Sequence, residues 1–374
     1  MNKMKKVLIV NRKYTDNLGD LAIGDALAQL FSKKGCEVYR LEFSRFGKDI
    51  SSFGLSKNSG GSGAESKARV SQKTPGRLKL FLGANFPKTI WFIRHGHRVL
   101  RQVRKIPKNE IDLIIIGGGQ LIQSDSWNDH FAYAFRLWDW MNRHLFKTKM
   151  AVLSVGAKEG FSPYAGRTFE KSLLHADLIY VRDHHSKEII ERFDSALDVK
   201  TMPDVAFSLY SGEEREKAEG TEDKLALVGI YNYDTYCKIH SLEADRPAYY
   251  EGWKKKIEDL TAADYKVKLF YSTGPDKIET QRFSEYLERK FEIAEADSLS
   301  DLNELLNSAD YVYSGRMHAL ILAMVSGCRV EAFITNTKLK VFAEAYTRQN
   351  PDLQVLRQEI DQVIDDVLAS LSDS

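Results

Sequence analysis

The sequence predicts an α/β protein built as two Rossmann-like halves that face each other across a cleft. Three observations predict it. Short, largely aliphatic runs, such as 7–10 (VLIV) and 111–116 (IDLIII), recur along the chain and read as strands buried on both faces. Between them lie segments with apolar residues three to four apart, the alternation from which parallel sheets are built. At 374 residues, the chain also exceeds what one hydrophobic core usually supports.

The first half, residues 1–210, opens with the strand 7–10 and a polar loop, 11–17. A helix follows on Ile23, Leu27, Leu30 and Phe31 and ends at Lys33-Lys34-Gly35, where cations and a glycine suit a helix C-terminus. Residues 36–41 alternate as a second strand. An insertion at about 47–108 comes next. Its Ser/Gly-rich part, 51–63, reads as a mobile loop or lid, and its basic part carries an amphipathic helix over 91–103. Strand 111–116 runs straight into Gly117-Gly118-Gly119, and further strands are expected at 150–155, 178–181 and 199–202. The charged segment 211–224 has the composition of a linker. The second half, 225–345, repeats the wrap, with strands at 225–231, 266–271, 291–293, 309–313 and 329–332 and helices at 249–263, 280–290, 300–308 and 317–326. A last amphipathic helix lies within 350–374.

Composition excludes several classes. The apolar fraction of 43% and charged fraction of 28% are ordinary for a folded globular chain. Cys36, Cys237 and Cys328 are dispersed and odd in number, which fits reduced thiols, and no CxxC pair suggests a metal site. The N-terminal apolar run is too short for a signal peptide, and no stretch nears the roughly 20 apolar residues that span a bilayer. A cytoplasmic protein is therefore expected. Net charge is only +2, yet Lys67 to Lys108 holds twelve cations and no acid. Such a stretch attracts phosphates on lipid headgroups, on a substrate or on nucleic acid, or is simply a solvated helix face. No nucleic-acid motif accompanies it, so a nucleic-acid partner is not expected. Arg94, Arg98, Arg101 and Arg104, three to four apart beside Trp91, are candidates for contact with a peripheral membrane surface or a lipid-diphosphate acceptor.

Four short motifs stand where strands give way to helices. Asn17-Leu18-Gly19-Asp20 would present helix N-H groups to an anion, with Gly19 permitting close approach; the same residues also read as a helix cap. Gly117-Gly118-Gly119-Gln120 has neither dinucleotide nor Walker spacing and suits ligand contact or a tight turn equally. Arg182-Asp183 offers a bidentate fork to a carboxylate or phosphate, or an internal pair with Asp183 or Asp204. The sharpest is Ser314-Gly315-Arg316-Met317-His318. Ser314 as N-cap would place Arg316 and His318 in the first helical turn, open to the groove, where an imidazole can switch from neutral ring to proton donor as an anion arrives; the alternative is a cap with a core-satisfied histidine.

Taken together, NLGD, IIIGGGQLI, LIYVRDHHS, PDVAFSL and SGRMHALILAMVSG, in this order and spacing, resemble the polysaccharide pyruvyl transferase family. The resemblance implies a GT-B-like fold. It also implies an enzyme that uses phosphoenolpyruvate, without a further cofactor or metal, to place a pyruvate ketal on a sugar of a bacterial surface polysaccharide precursor. The acceptor would be a sugar, commonly lipid-linked, and the protein would work in the cytoplasm or at the inner face of the membrane. Carried onto this chain, Arg316 and His318 would be catalytic with Asp20 as base or hydroxyl anchor. Arg182, Ser314, Gly315, Asn17, Gly19, Gly118 and Gly119 would hold the donor. A lysine frequent in the family corresponds to Lys338 or Lys340. A GT-B nucleotide-sugar glycosyltransferase, whose diphosphate would sit on Arg316 and His318, is the alternative.

Overall fold

The computed structural model describes residues 4–13, 15–44, 89, 91–124, 129–209, 224–242, 245–349 and 351–372. The expected loop 51–63, the basic residues before 89 and the linker 211–223 lie outside them. Six parallel strands form the first sheet: β1 (Lys6–Asn11), β2 (Glu37–Glu42), β3 (Leu113–Gly117), β4 (Lys149–Val155), β5 (Leu178–Val181) and β6 (Val199–Thr201), in the order β2-β1-β3-β4-β5-β6. Five parallel strands form the second: β7 (Lys224–Gly229), β8 (Tyr265–Phe270), β9 (Ile293–Ala294), β10 (Tyr311–Ser314) and β11 (Arg329–Ala332), in the order β11-β10-β7-β8-β9.

Helices return the chain between strands. In the first half these are α1 (Leu18–Lys33), α2 (His97–Val103, entered through a π-turn, Phe92–Gly96), α3 (His130–Met141), α4 (Pro163–Leu173) and α5 (His184–Glu191). In the second they are α6 (Tyr233–His240), α7 (Arg246–Ala262), α8 (Gly274–Tyr286), α9 (Leu299–Asn307), α10 (Met317–Val325) and α11 (Thr337–Phe342), before the terminal α12 (Leu353–Ala369). Helix α8 begins earlier than the expected 280, because Thr273 caps it through the Asp276 N-H at 3.3 Å and Pro275 occupies the first turn.

Alternation along β1 divides the core. Val7 and Ile9 join a cluster on one face of the first sheet, and Leu8 and Val10 join another with Phe43 and Trp138. The first cluster does not stop at the sheet. It continues through α1, the turn Val205–Ser208 and the eight buried apolar residues of α10 into Leu227 and Phe270 of the second sheet. The two halves thus share one apolar core on one side, and the cleft is reduced to small cavities at the strand ends. Helix α12 returns to the first half, where Arg357 Nε donates to the Phe207 carbonyl at 3.2 Å and Lys34 pairs with Asp365 at 2.8 Å.

Candidate active site

In open parallel sheets, ligands bind beyond the carboxyl ends of the strands where the winding reverses. The first sheet reverses between β1 and β3, so the loops carrying Asn17 and Gly118 flank that point; the second reverses between β7 and β10, flanked by Tyr231 and Arg316. The two ends meet. Leu18 N-H donates to the Ser272 carbonyl at 3.1 Å, and Gly274 N-H to Asp16 Oδ2 at 3.2 Å.

At the Arg316 corner, one expectation is corrected. Ser314 is the last residue of β10, paired with Gly229 and Ala332, and Arg316 itself occupies the N-cap position, so the helix begins at Met317. Ser314 Oγ accepts from the Arg316 N-H at 3.1 Å and is otherwise buried beneath the corner. Extended backbone at Arg316 lets its side chain and that of His318 diverge. The guanidinium forks onto Asp276, Nε to Oδ2 and Nη2 to Oδ1 both at 2.7 Å, and stacks over Tyr231 at 4.2 Å. Its side chain is 26% exposed. His318 is only 7% exposed and turns the other way, with Nε2 on Asp204 Oδ2 at 3.3 Å across the boundary between halves. Both still line a cavity of about 80 Å³ with Asn17, Gly19, Gly315 and Lys338.

Asn17 acts as the cap of α1, its Oδ1 accepting from the Gly19 N-H at 3.1 Å. What approaches the bare backbone of Gly19 is a side chain of the protein: a Cβ there would sit 2.5 Å from His318 Cβ and 2.6 Å from Nδ1. Asp20 points back into the first half and pairs with Arg12 at 2.7 Å. Gly118 and Gly119 both adopt φ of +72°, the left-handed region that favours glycine. Gly118 packs on Ile23, while Gly119 lies beneath Asp20 Oδ1, so this turn builds the floor under Asp20 and lines neither cavity described here.

Arg182 directly follows β5 and lines a second cavity of about 220 Å³ together with Asp183, Asp204, Met317, Lys338 and Tyr346. Its side chain is 2% exposed, and Gly156 leaves the space its guanidinium fills. Nε bonds to Asp183 at 3.2 Å, but Nη1 reaches no hydrogen-bond partner among the described residues; Asp204 lies at 4.0 Å. Burial pushes the Asp204 carboxyl up, yet His318 and then Arg182 outweigh it and hold it below the ordinary carboxylate value. Lys338, on the first turn of α11, lines both cavities and makes no hydrogen bond or ion pair among the described residues. Burial, then the Arg182 charge, lowers its ammonium from 10.5 to about 7. Lys340 is exposed and lines neither cavity.

These residues gather a guanidinium with a spare fork, a poorly solvated lysine and an imidazole oriented by a carboxylate. That set suits a small ligand with two anionic groups. Asp276 and the His318 contact with Asp204 were not legible as site features, and Lys338 entered only as one of two lysines that the resemblance left open; the glycines at 19 and 156 were the only sequence signal of the space taken by His318 and Arg182. Of the basic helix, Arg98, Arg101 and Arg104 are exposed and line neither cavity, and the Arg94 side chain lies outside the described residues. Among the described residues no group of three His, Cys, Asp or Glu side chains is arranged to hold a metal, and no helix is long and apolar enough to cross a membrane.

Two parallel α/β sheets meeting at their carboxyl ends define a GT-B-like protein, and solved structures share this fold. A UDP-N-acetylglucosamine 2-epimerase from Neisseria meningitidis, bound to UDP-GlcNAc, aligns at a TM-score of 0.51 and 11% identity over 98% of this chain and 100% of its own. A proposed UDP-N-acetylglucosamine 2-epimerase from Listeria monocytogenes aligns at 0.51 and 11% over 97% and 88%. At such identity the likeness speaks for the fold alone. None of the curated proteins matches the chain in sequence. The profile of the family described as polysaccharide pyruvyl transferase matches residues 17–334, and the chain belongs to that family.

Proposed function

We propose that the protein transfers the pyruvyl group of phosphoenolpyruvate to two hydroxyls of a sugar in a bacterial polysaccharide precursor, forming a cyclic ketal and releasing phosphate. The observation that carries this reading is the buried Arg182 Nη1 without a hydrogen-bond partner among the described residues, in the cavity it shares with Lys338. A buried unsatisfied donor costs about 1–3 kcal/mol, which an anion delivered to that point would recover. In this reading Arg182 and Lys338 take one anionic group of the donor and Arg316, through the Nη1 that Asp276 leaves free, takes the other.

His318 supplies the acid. With Nε2-H donating to Asp204, the ring presents Nδ1 towards Gly19 and the smaller cavity. A proton passes from Nδ1 to the methylene carbon, and the cationic centre left at C2 is attacked by the first sugar hydroxyl. The second hydroxyl attacks as the bond from C2 to the phosphate oxygen breaks. Of the two hydroxyl protons, one restores the imidazolium and one leaves with phosphate. Asp20, close to the turn at Gly119 and paired with Arg12, is the proposed hydroxyl anchor or base.

Calorimetric titration with phosphoenolpyruvate tests the donor. Binding is expected, and Arg182→Met should weaken it by roughly tenfold or more, the worth of a charged hydrogen bond. Equal affinity in both proteins would overturn the assignment. A melting temperature raised by UDP-sugars but not by phosphoenolpyruvate would favour the glycosyltransferase alternative. Incubation with lipid-linked sugars should add the mass of one pyruvate ketal.

A further inference from the structure

We infer that the outward face of α2, with the π-turn that leads into it and the turn at Arg104 and Lys105 that follows, docks on an anionic phospholipid surface. This surface lies outside the donor cavities and its argument does not depend on the donor. Trp91, Val99 and Val103 are buried and seat the helix on the core beside Phe43 and Phe131. The opposite stripe carries Ile93, 68% exposed, then His97, Leu100, 39% exposed, and Arg104, with Arg101 and Lys105 also exposed at its side. Residues 88 to 108 hold seven cations and no acid, in a chain whose net charge is only +2. The charge is therefore local.

Single exposed aliphatic residues are ordinary on a protein surface. Two on one stripe, flanked by arginine and lysine, fit the plane of a membrane, where cations meet lipid phosphates and the apolar side chains enter the headgroup layer. Nucleic acid would answer the cations and leave Ile93 and Leu100 without a role. The placement is also functional. Trp91 packs on Tyr133 at 5.8 Å, and Tyr133 on Tyr164 at 5.5 Å, in the first turn of α4 beyond the carboxyl end of β4. Carboxyl ends of strands carry the candidate site, so the helix starts on the same side of the first sheet, and docking there would turn that side towards a membrane-bound substrate.

Co-sedimentation of the full chain with vesicles tests this. Vesicles of phosphatidylcholine and phosphatidylglycerol should pull down the protein, and pure phosphatidylcholine vesicles should not. Each basic residue near an anionic leaflet is worth a factor of about five in partitioning, so Arg101→Gln/Arg104→Gln/Lys105→Gln should lose roughly a hundredfold. Ile93→Ser/Leu100→Ser should lose about tenfold with every charge intact. All these side chains are exposed, and thermal melts matching the parent would show that the variants fold. Failure of the parent to sediment, equal sedimentation of either variant, or retention on duplex DNA but not on vesicles would each overturn the inference. Pyruvyl transfer to a water-soluble acceptor sugar is measured separately, so a failure of the donor reading leaves the vesicle result interpretable.

Discussion

Lys338 gives the proposal its most quantitative consequence. Its ammonium sits at about 7 in the folded protein, lowered first by burial and then by Arg182. If the charged form is the one that binds the donor, apparent affinity scales with the protonated fraction. That fraction is about one half at pH 7 and about one tenth at pH 8, so the dissociation constant should rise about fivefold from pH 7 to 8 and approach a tenfold rise per pH unit beyond that. A phosphate monoester, with its second pKa at about 6, stays doubly charged there and adds little slope. An arriving anion returns Lys338 towards its ordinary value, so binding near pH 8 should take up about 0.9 proton. Calorimetry in two buffers of different ionisation enthalpy reads that uptake directly. Lys338→Arg, charged throughout, should flatten the slope and abolish the uptake, whereas Lys338→Met should bind weakly at every pH. A parent whose affinity is flat from pH 7 to 9, or that binds without proton uptake, would refute the reasoning. Stability follows the same group with a fixed sign. Between about 7 and the unfolded value of 10.5 only the unfolded chain holds the proton, so native stability from this residue rises with pH across that window. Lys338→Met should remove that rise in urea titrations.

Two further outcomes concern the packing around the corner. Gly19→Ala places a Cβ 2.5 Å from that of His318, and overpacking of this kind costs about 1–3 kcal/mol. A melting temperature lower by several degrees together with loss of transfer is expected; an unchanged protein would mean that the halves separate there at little cost. Asp276→Asn keeps the shape of the Arg316 fork but removes the buried charge, with a loss of about 3 kcal/mol expected in urea denaturation. Equal stability would show that the fork is an ornament of the crowded corner and not its brace.

Much of the scaffold was legible because local chemistry and global placement agree. In β1 every residue after Lys6 is buried, so its aliphatic run stands out, and Asn17 caps α1 as residues of its type do. Helix α3 was not legible: nine of its twelve residues are buried, which erases the stripe that periodicity detects. At the site, the turn at 314–318 was correctly found, yet its cap was misread, since Ser314 is claimed by strand pairing on both sides. The partners of the candidate residues come from far along the chain. Asp276 lies 40 positions from Arg316 and Asp204 lies 114 from His318, and no local pattern encodes such meetings. The resemblance of motif order supplied what spacing alone did not.

Helix α10 begins at the reactive corner and ends in the apolar body common to α1 and the turn Val205–Ser208. Either half made alone would leave that helix, or the groove that receives it, facing water, where each stranded aliphatic side chain forfeits about 1.5–3 kcal/mol. The two lobes are therefore not interchangeable modules. A chimera that trades one of them for a relative's would have to carry over the matching seam, and damage to that seam would reach the chemistry at the other end of the same helix.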